Sequence, residues 1–167
     1  MAIFDRFGSK SKTPKAFVET NVQFTEDESK AITTKMEQFA GIANAGADKG
    51  ETYVHPKMKD AMTAKALAGY SEDLMCQVRH SPDERSAALI DKAIKAQMKA
   101  YTIHQLPVYL FQTAEILEYR DDMALAKEFF RRFLEAQNDF VPNTVDTFFL
   151  SQADIPKLIA TAKEKVR

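Results

Sequence analysis

The sequence has few of the residues that interrupt helices, and it has a single cysteine. Glycine occurs 5 times and proline 6 times in 167 residues, while alanine, lysine, glutamate and leucine are frequent. Glycine and proline are the residues least favourable inside a helix, so this composition predicts an all-α protein. The lone thiol, Cys76, excludes a disulfide within the chain and is typical of a protein of the reducing cytoplasm.

The sequence also lacks long apolar runs and an excess of either charge. Lysine and arginine total 23, and aspartate and glutamate total 24, so no overall field attracts nucleic acid or an anionic membrane. No apolar stretch is long enough to cross a bilayer, and the N-terminus lacks the apolar core of a signal peptide. We therefore expect a soluble cytoplasmic protein without nucleic-acid binding or membrane contact.

The chain length suits one helical domain preceded by an arm. With 45% hydrophobic residues, the chain can bury one sizeable core. We predict an N-terminal arm and linker at residues 1–24 and a single helical domain at 25–167. In the arm, Ile3, Phe4 and Phe7 would share one side of a short helix. This helix is either an amphipathic membrane foot or docking peptide, or a terminus that packs into the protein's own core or stays loose. A single turn buries little apolar surface, which favours the second interpretation.

The last part of the arm has a two-residue period. Val18, Thr20, Val22 and Phe24 alternate with polar residues, as in extended chain. A lone strand would leave its backbone hydrogen bonds unpaired, and residues 51–55 are the nearest candidate partner. The pattern therefore predicts either a two-stranded pairing or an extended arm that lies across the helices.

From residue 25 onward the apolar residues recur with a helical period. Residues 108–119 are apolar on nearly every side and should form the most buried helix. A long helical stretch before them contains a candidate break at Gly69-Tyr70-Ser71, where Ser71 could cap a new helix. About six or seven helices in one domain are expected. Helix starts are predicted from capping residues at Thr25 with Glu28, Ser81 with Pro82, Asp121, and Ser151 with Asp154.

The segment from about residue 107 to 137 has the spacing of a helical hairpin with small residues at the crossing. In this region the sequence resembles a tetratricopeptide repeat, which packs its two helices through large and small residues and an A-x3-F pattern. An array of such repeats needs about three stacked units, and the pattern fits one unit here, so an ordinary hairpin of a helical bundle explains it equally. Phe133 also stands where the family has alanine. The matching residues are Leu110, Ala114, Leu117, Ala126 and Phe130.

The resemblance implies a concave peptide groove lined by the first helix of the hairpin. Phe111, Glu115 and Glu118 would face this groove, and an aromatic residue beside two carboxylates would prefer a basic or mixed extended ligand. Alternatively, Phe111 belongs to the core and the two glutamates form a solvated stripe. The predicted fold is an all-α helical-hairpin bundle, partly tetratricopeptide-like, with an extended N-terminal arm.

The sequence contains no recognisable metal or catalytic motif. Cys76 and His80 are four residues apart and could share a helix face, but His55 and His104 are the other histidines, and no Glu-x-x-His pair occurs. Phosphate-binding glycine loops and the G-x-S-x-G motif are missing as well. We therefore predict no metal, no cofactor and no catalytic residue, and we expect Cys76 to be a buried, inert thiol.

The leading functional prediction is a non-catalytic interaction module that binds a partner protein or peptide. Phenylalanine occurs 12 times, more than one small core obviously needs. Phe140, Phe148 and Phe149 are candidates for an interface, and a homodimer is one such interface.

Two other classes remain open. One is a helical protein that binds a small molecule or lipid in an adaptable cavity lined by Met58, Met62, Met75 and Met98. The other is an enzyme with an unrecognised site assembled from scattered polar residues, which would need ionisable groups to converge in one cleft.

Overall fold

The computed structural model describes residues 24–45, 58–151 and 153–167, with side chains in the first range described for 24–35 and 37. These ranges are helical and contain no strand, which confirms the all-α prediction. The predicted contacts of Ile3, Phe4 and Phe7, and the strand pairing of residues 18–23 with 51–55, lie outside the described residues. The helices are α1 (Glu26–Ala45), α2 (Met58–His80), α3 (Ser86–Ile103), α4 (Val108–Tyr119), α5 (Met123–Asp139), α6 (Thr144–Leu150) and α7 (Ile155–Lys165).

The helices pack mainly on their neighbours in the chain. α1 packs on α2, α2 on α3, α3 on α4 and α4 on α5, so the chain builds a bundle of successive helical hairpins. α7 packs on α5, while the short α6 returns to contact α2. This return brings the beginning and the end of the bundle together beside α4.

The core between α4 and α5 is rich in phenylalanine. Phe111 of α4 packs edge-on against Phe130 and Phe133 of α5, with ring centroids 5.3 and 5.2 Å apart. The small residues Ala114 and Ala126 are both buried, as close packing of the two helices requires. Each described helix is either too short or too polar to cross a membrane.

The turn between α4 and α5 shows that the prediction of Asp121 as the cap of α5 is wrong. Asp121 has a φ angle of 65°, and its amide donates to the carbonyl of Glu118 at 2.9 Å. The amide of Asp122 donates to the carbonyl of Leu117, also at 2.9 Å. These two bonds form a Schellman motif, which ends α4 and requires a left-handed residue at Asp121. The N-cap of α5 is therefore Asp122, whose side chain makes no capping hydrogen bond.

The start of α3 lies later than predicted. The helix begins at Ser86 rather than after Ser81. The carboxylate of Asp83 accepts the amide of Arg85 at 2.8 Å, and it also accepts the Arg85 guanidinium at 2.7 Å. Asp83 therefore stabilises a separate turn, and residues 81–85 form the connection between α2 and α3.

The predicted break in α2 is absent, because this helix runs through Gly69 without interruption. Ser71 does not cap a new helix. Its hydroxyl is buried and donates to the carbonyl of Ala93 in α3 at 2.8 Å. The serine thus links the two most extensively packed helices.

The C-terminal part contains a helix that no sequence pattern predicted. α6 follows Asn143, which forms a capping box with Asp146: each side chain accepts the backbone amide of the other residue. α7 follows Asp154, whose carboxylate accepts the amide of Lys157 at 3.2 Å. Asp154 is therefore the N-cap itself, and not the third residue of a capping box begun by Ser151.

α1 is attached to α2 and α3 through its first turn. The predicted capping box is confirmed, since the amide of Thr25 donates to Glu28 at 2.8 Å and the amide of Glu28 donates to the Thr25 hydroxyl at 3.3 Å. Burial acts to raise the pKa of Glu28, but the ion pair with Lys92 and the bond from Thr25 outweigh it and hold this pKa below its usual value. Burial and the charge of Glu28 raise the pKa of Tyr70 to about 12, and Phe24 packs edge-on against the Tyr70 ring.

Candidate functional site

A cleft of about 600 Å³ lies between α2, α4, α6 and the start of α7. Its walls are largely apolar, and it is partly open to solvent. α4 contributes more lining residues than any other helix, so we call it the α4 cleft. The lining includes Met62 and Lys65 of α2, Tyr109, Phe111, Gln112 and Glu115 of α4, Phe148 and Phe149 of α6, and Leu158 of α7.

One side of α4 presents a row of polar side chains to the cleft. Tyr109, Gln112 and Glu115 are three residues apart, a spacing that places side chains one above another on a helix face. The hydroxyl of Tyr109 and the amide oxygen of Gln112 are buried and make no hydrogen bond to another described residue. A buried polar atom without a partner costs about 1–3 kcal/mol. Two such atoms therefore belong to residues of the cleft lining and have hydrogen-bonding capacity that the described residues do not use.

The hydroxyl of Tyr109 remains protonated. Tyr109 is 2% exposed, and this burial, together with the negative charge of Asp146, raises the pKa of the phenol above its usual value. A neutral hydroxyl can both donate and accept a hydrogen bond. Tyr109 can therefore bind either kind of polar group.

Glu115 ends the polar row with a charge and keeps an exposed surface. Partial burial raises the pKa of Glu115. The positive charge of Arg79 opposes this shift, the negative charge of Glu118 adds to it, and Lys165 opposes it. Glu118 is bound by Lys165, with Nζ 2.7 Å from Oε1, whereas neither Glu115 nor Lys65 forms an ion pair with another described residue. The cleft thus has an unpaired carboxylate on α4 and an unpaired ammonium group on α2.

The three residues predicted to face a groove do not all lie in the cleft. Phe111 is 3% exposed; it belongs to the core, and it also forms part of the cleft wall. Glu115 lines the same wall. Glu118 lies one turn further along α4 and attaches that helix to α7 through Lys165. The structure therefore brings Phe111 and Glu115 together and gives Glu118 a partner on another helix.

The four methionines predicted to line a cavity do not share the α4 cleft. Met62 lies on its wall. Met75 and Met98 are 2% and 8% exposed and belong to the core cluster, and Met58 is half-buried at the first position of α2. Aromatic residues contribute more than methionine to the lining.

Sequence reasoning missed the pair of residues that positions α6. His104 Nε2 lies 2.6 Å from Asp146 Oδ1, and both side chains are nearly buried. Asp146 Oδ2 accepts the amide of Asn143, so one carboxylate caps α6 and binds the residue that ends α3. The ring of Phe149 packs edge-on against His104. The Asn143–Asp146 spacing is the sequence signal that could have revealed this helix start, whereas His104 carries no local signal.

Cys76 is exposed, so the prediction of a buried thiol is wrong. Its sulfur lies 3.5 Å from Nδ1 of His80, which confirms that the two residues share a helix face. They lie about three helical turns beyond Lys65 along α2. In the described parts of the chain, no group of three or more histidine, cysteine, aspartate or glutamate side chains is placed to hold a metal ion.

The arrangement in the α4 cleft suits hydrogen bonding and ion pairing with a bound ligand. Three of its polar residues lie along α4, Lys65 lies on α2, and Asp154 lies at the start of α7, while the residues from α6 are apolar. The chain matches no protein-family model, no curated protein and no solved structure at a significant level. The tetratricopeptide resemblance of residues 107–137 therefore stays a prediction.

Proposed function

We propose that the protein is a non-catalytic interaction module, and that its α4 cleft binds a segment of a partner protein. One observation carries the proposal: the lining of a largely apolar cleft includes two residues, Tyr109 and Gln112, whose buried polar atoms have no partner among the described residues. Apolar contacts would supply affinity, and the polar row would orient the bound segment.

The rim of the cleft has the character of a protein interface. Phe148 is 51% exposed and Val141 is 86% exposed, and both lie at the end of the bundle that carries α6. Exposed aromatic side chains next to a pocket are typical anchors of protein interfaces.

A small amphipathic molecule is the second candidate. The cleft volume of about 600 Å³ falls in the range of about 300–1,000 Å³ that is usual for small-ligand sites. Such a molecule would use the same apolar walls and polar row. The two candidates differ in one expectation: a cleft for a protein segment should bind isolated peptides, whereas a site for a small molecule should not.

A peptide selection tests the proposal. Random short peptides displayed on phage would be selected on the immobilised full chain, and the affinity of an enriched peptide would then be measured by calorimetry. Phe148→Ala should weaken binding about ten-fold or more, because an interface aromatic is lost. Met123→Ala is the matched control, since Met123 is 47% exposed and does not line the cleft. This control should change the affinity less than about two-fold.

Three outcomes of this test would contradict the proposal. If the folded chain enriches no peptide, the occupant of the α4 cleft is a small molecule and not a protein segment. Equal losses of affinity in the two variants would place the binding surface elsewhere. A dimer by light scattering that Phe148→Ala converts to a monomer would identify a second copy of the chain as the occupant of this surface.

A further inference from the structure

We infer that the segment bound in the α4 cleft carries a lysine or arginine whose cationic group lies along Gln112 and Glu115, next to a large apolar side chain. This inference rests on the proposed function and adds the chemistry of the partner. It follows from the juxtaposition of unpartnered oxygen atoms and apolar rings in one cleft.

The acceptor atoms on α4 favour a ligand rich in hydrogen-bond donors. The amide oxygen of Gln112 is buried without a partner, and the carboxylate of Glu115, one turn further on, forms no ion pair with another described residue. The hydroxyl of Tyr109 stands one turn before them. Guanidinium and ammonium groups carry several N–H donors and no acceptor, so they can satisfy neighbouring oxygens together.

The balance of charge at the cleft favours a cation near α4. Glu115 and Asp154 contribute two carboxylates to the lining, and Lys65 contributes one ammonium group from α2. Arg79 and Lys165 also lie near Glu115: Lys165 is bound to Glu118, and Arg79, whose guanidinium lies over the Tyr119 ring, offsets part of the Glu115 charge. A basic group of a partner would therefore be attracted to the α4 side, and Lys65 would disfavour its placement against α2.

The apolar part of the lining explains why a basic residue alone would not suffice. Phe148, Phe149 and Leu158 face the cleft from α6 and α7. An ion pair at a partly exposed site contributes little, because water screens it and side-chain entropy is lost. A neighbouring large apolar side chain adds affinity by removing the aromatic surface from water.

The test compares the peptides that three forms of the full chain select from one random library. The wild-type chain should enrich peptides with a lysine or arginine close to a large apolar residue. Glu115→Gln keeps the shape of the side chain and removes its charge, so this variant should keep the apolar preference and lose the basic one. Glu135→Gln is the matched control, because Glu135 is an exposed helical glutamate on α5 that does not line the cleft. It should select the same peptides as the wild type.

The affinity of one enriched peptide gives the quantitative result. Its binding should weaken about ten-fold or more in Glu115→Gln, as expected when a charge-assisted hydrogen bond is lost. Glu115→Lys should abolish binding of this peptide. A peptide whose basic residue is replaced by glutamate should bind the Glu115→Lys variant again.

The two proposals fail in different ways. Two results would overturn the inference and leave the proposed function standing. In the first, the wild type enriches apolar peptides that contain no preferred basic residue. In the second, the wild type prefers a basic residue and Glu115→Gln keeps that preference. A folded chain that enriches no peptide would overturn the proposed function itself.

Discussion

Two buried tyrosines differ in whether their hydroxyl groups have partners. Tyr70 lies close to Glu28, and the pKa of Tyr70 is raised by burial and by its interaction with this carboxylate. The hydroxyl of Tyr109 is buried beside the α4 cleft and has no hydrogen-bond partner among the described residues. Because the net value of a hydrogen bond depends on both partners, removing these two hydroxyls should have opposite effects.

Tyr109→Phe should leave the free energy of unfolding unchanged or raise it by up to about 1 kcal/mol, because it removes a buried polar atom that has no partner. Tyr70→Phe is the matched control and should lower the free energy of unfolding by up to about 1 kcal/mol, because it removes a hydroxyl that interacts with Glu28. Urea denaturation monitored by circular dichroism would give both values. A loss of stability in Tyr109→Phe as large as that in Tyr70→Phe would show that the Tyr109 hydroxyl is already bound within the free protein.

At the scale of elements, the turn between α4 and α5 is the clearest case of a residue in an unfavourable conformation. Among the described residues other than glycine, Asp121 alone has a left-handed backbone conformation. Glycine adopts this conformation without the steric cost that a Cβ atom brings, although aspartate tolerates it better than most residues do. The Schellman motif depends on the backbone at this position and not on the Asp121 side chain.

Asp121→Gly should therefore raise the free energy of unfolding by about 0.5–1 kcal/mol. Asp121→Val should lower it by more than about 1 kcal/mol, because a β-branched side chain fits a left-handed backbone poorly. Thermal unfolding of both variants beside the wild type provides the measurement. A glycine variant less stable than the wild type would mean that the Asp121 carboxylate, rather than the backbone, stabilises the turn.

Local patterns predicted the long helices well and the short one not at all. The capping box of Thr25 and Glu28 and the buried character of α4 are both confirmed, because hydrogen bonds and burial within one helix depend on residues that are close in the sequence. α6 has seven residues, too few for a helical period to become visible. The capping box of Asn143 and Asp146 is the one local signal that marks the start of this helix.

The candidate site could be predicted in part. The tetratricopeptide resemblance implies that Phe111 and Glu115 face a groove, and both line the α4 cleft. The opposite wall could not be predicted, because it depends on contacts between distant segments. The bond between His104 and Asp146 joins residues separated by 42 positions, and no local pattern in a single sequence shows such a pairing.

At the scale of the whole molecule, the cleft results from the order in which the helices pack. Five helices pack each on the next along the chain, and α6 then returns to α2. The capping box at Asn143 and the bond to His104 determine where α6 lies, so that Phe148 and Phe149 reach the wall opposite α4. The α4 cleft therefore needs the intact bundle, and fragments of the chain would not reproduce it.

A nuclear magnetic resonance titration with isotope-labelled methionine methyl groups tests the central claim most directly. The full chain would be titrated with one of the peptides enriched by the selection. Met62 lies on the wall of the α4 cleft, Met75 and Met98 lie in the core, and Met123 is exposed at the start of α5. These side chains report on the cleft, the interior and a remote surface, respectively. The account predicts that the signal of Met62 shifts with added peptide until binding is saturated, while the other three remain in place. A shift of Met123 without one of Met62 would contradict it.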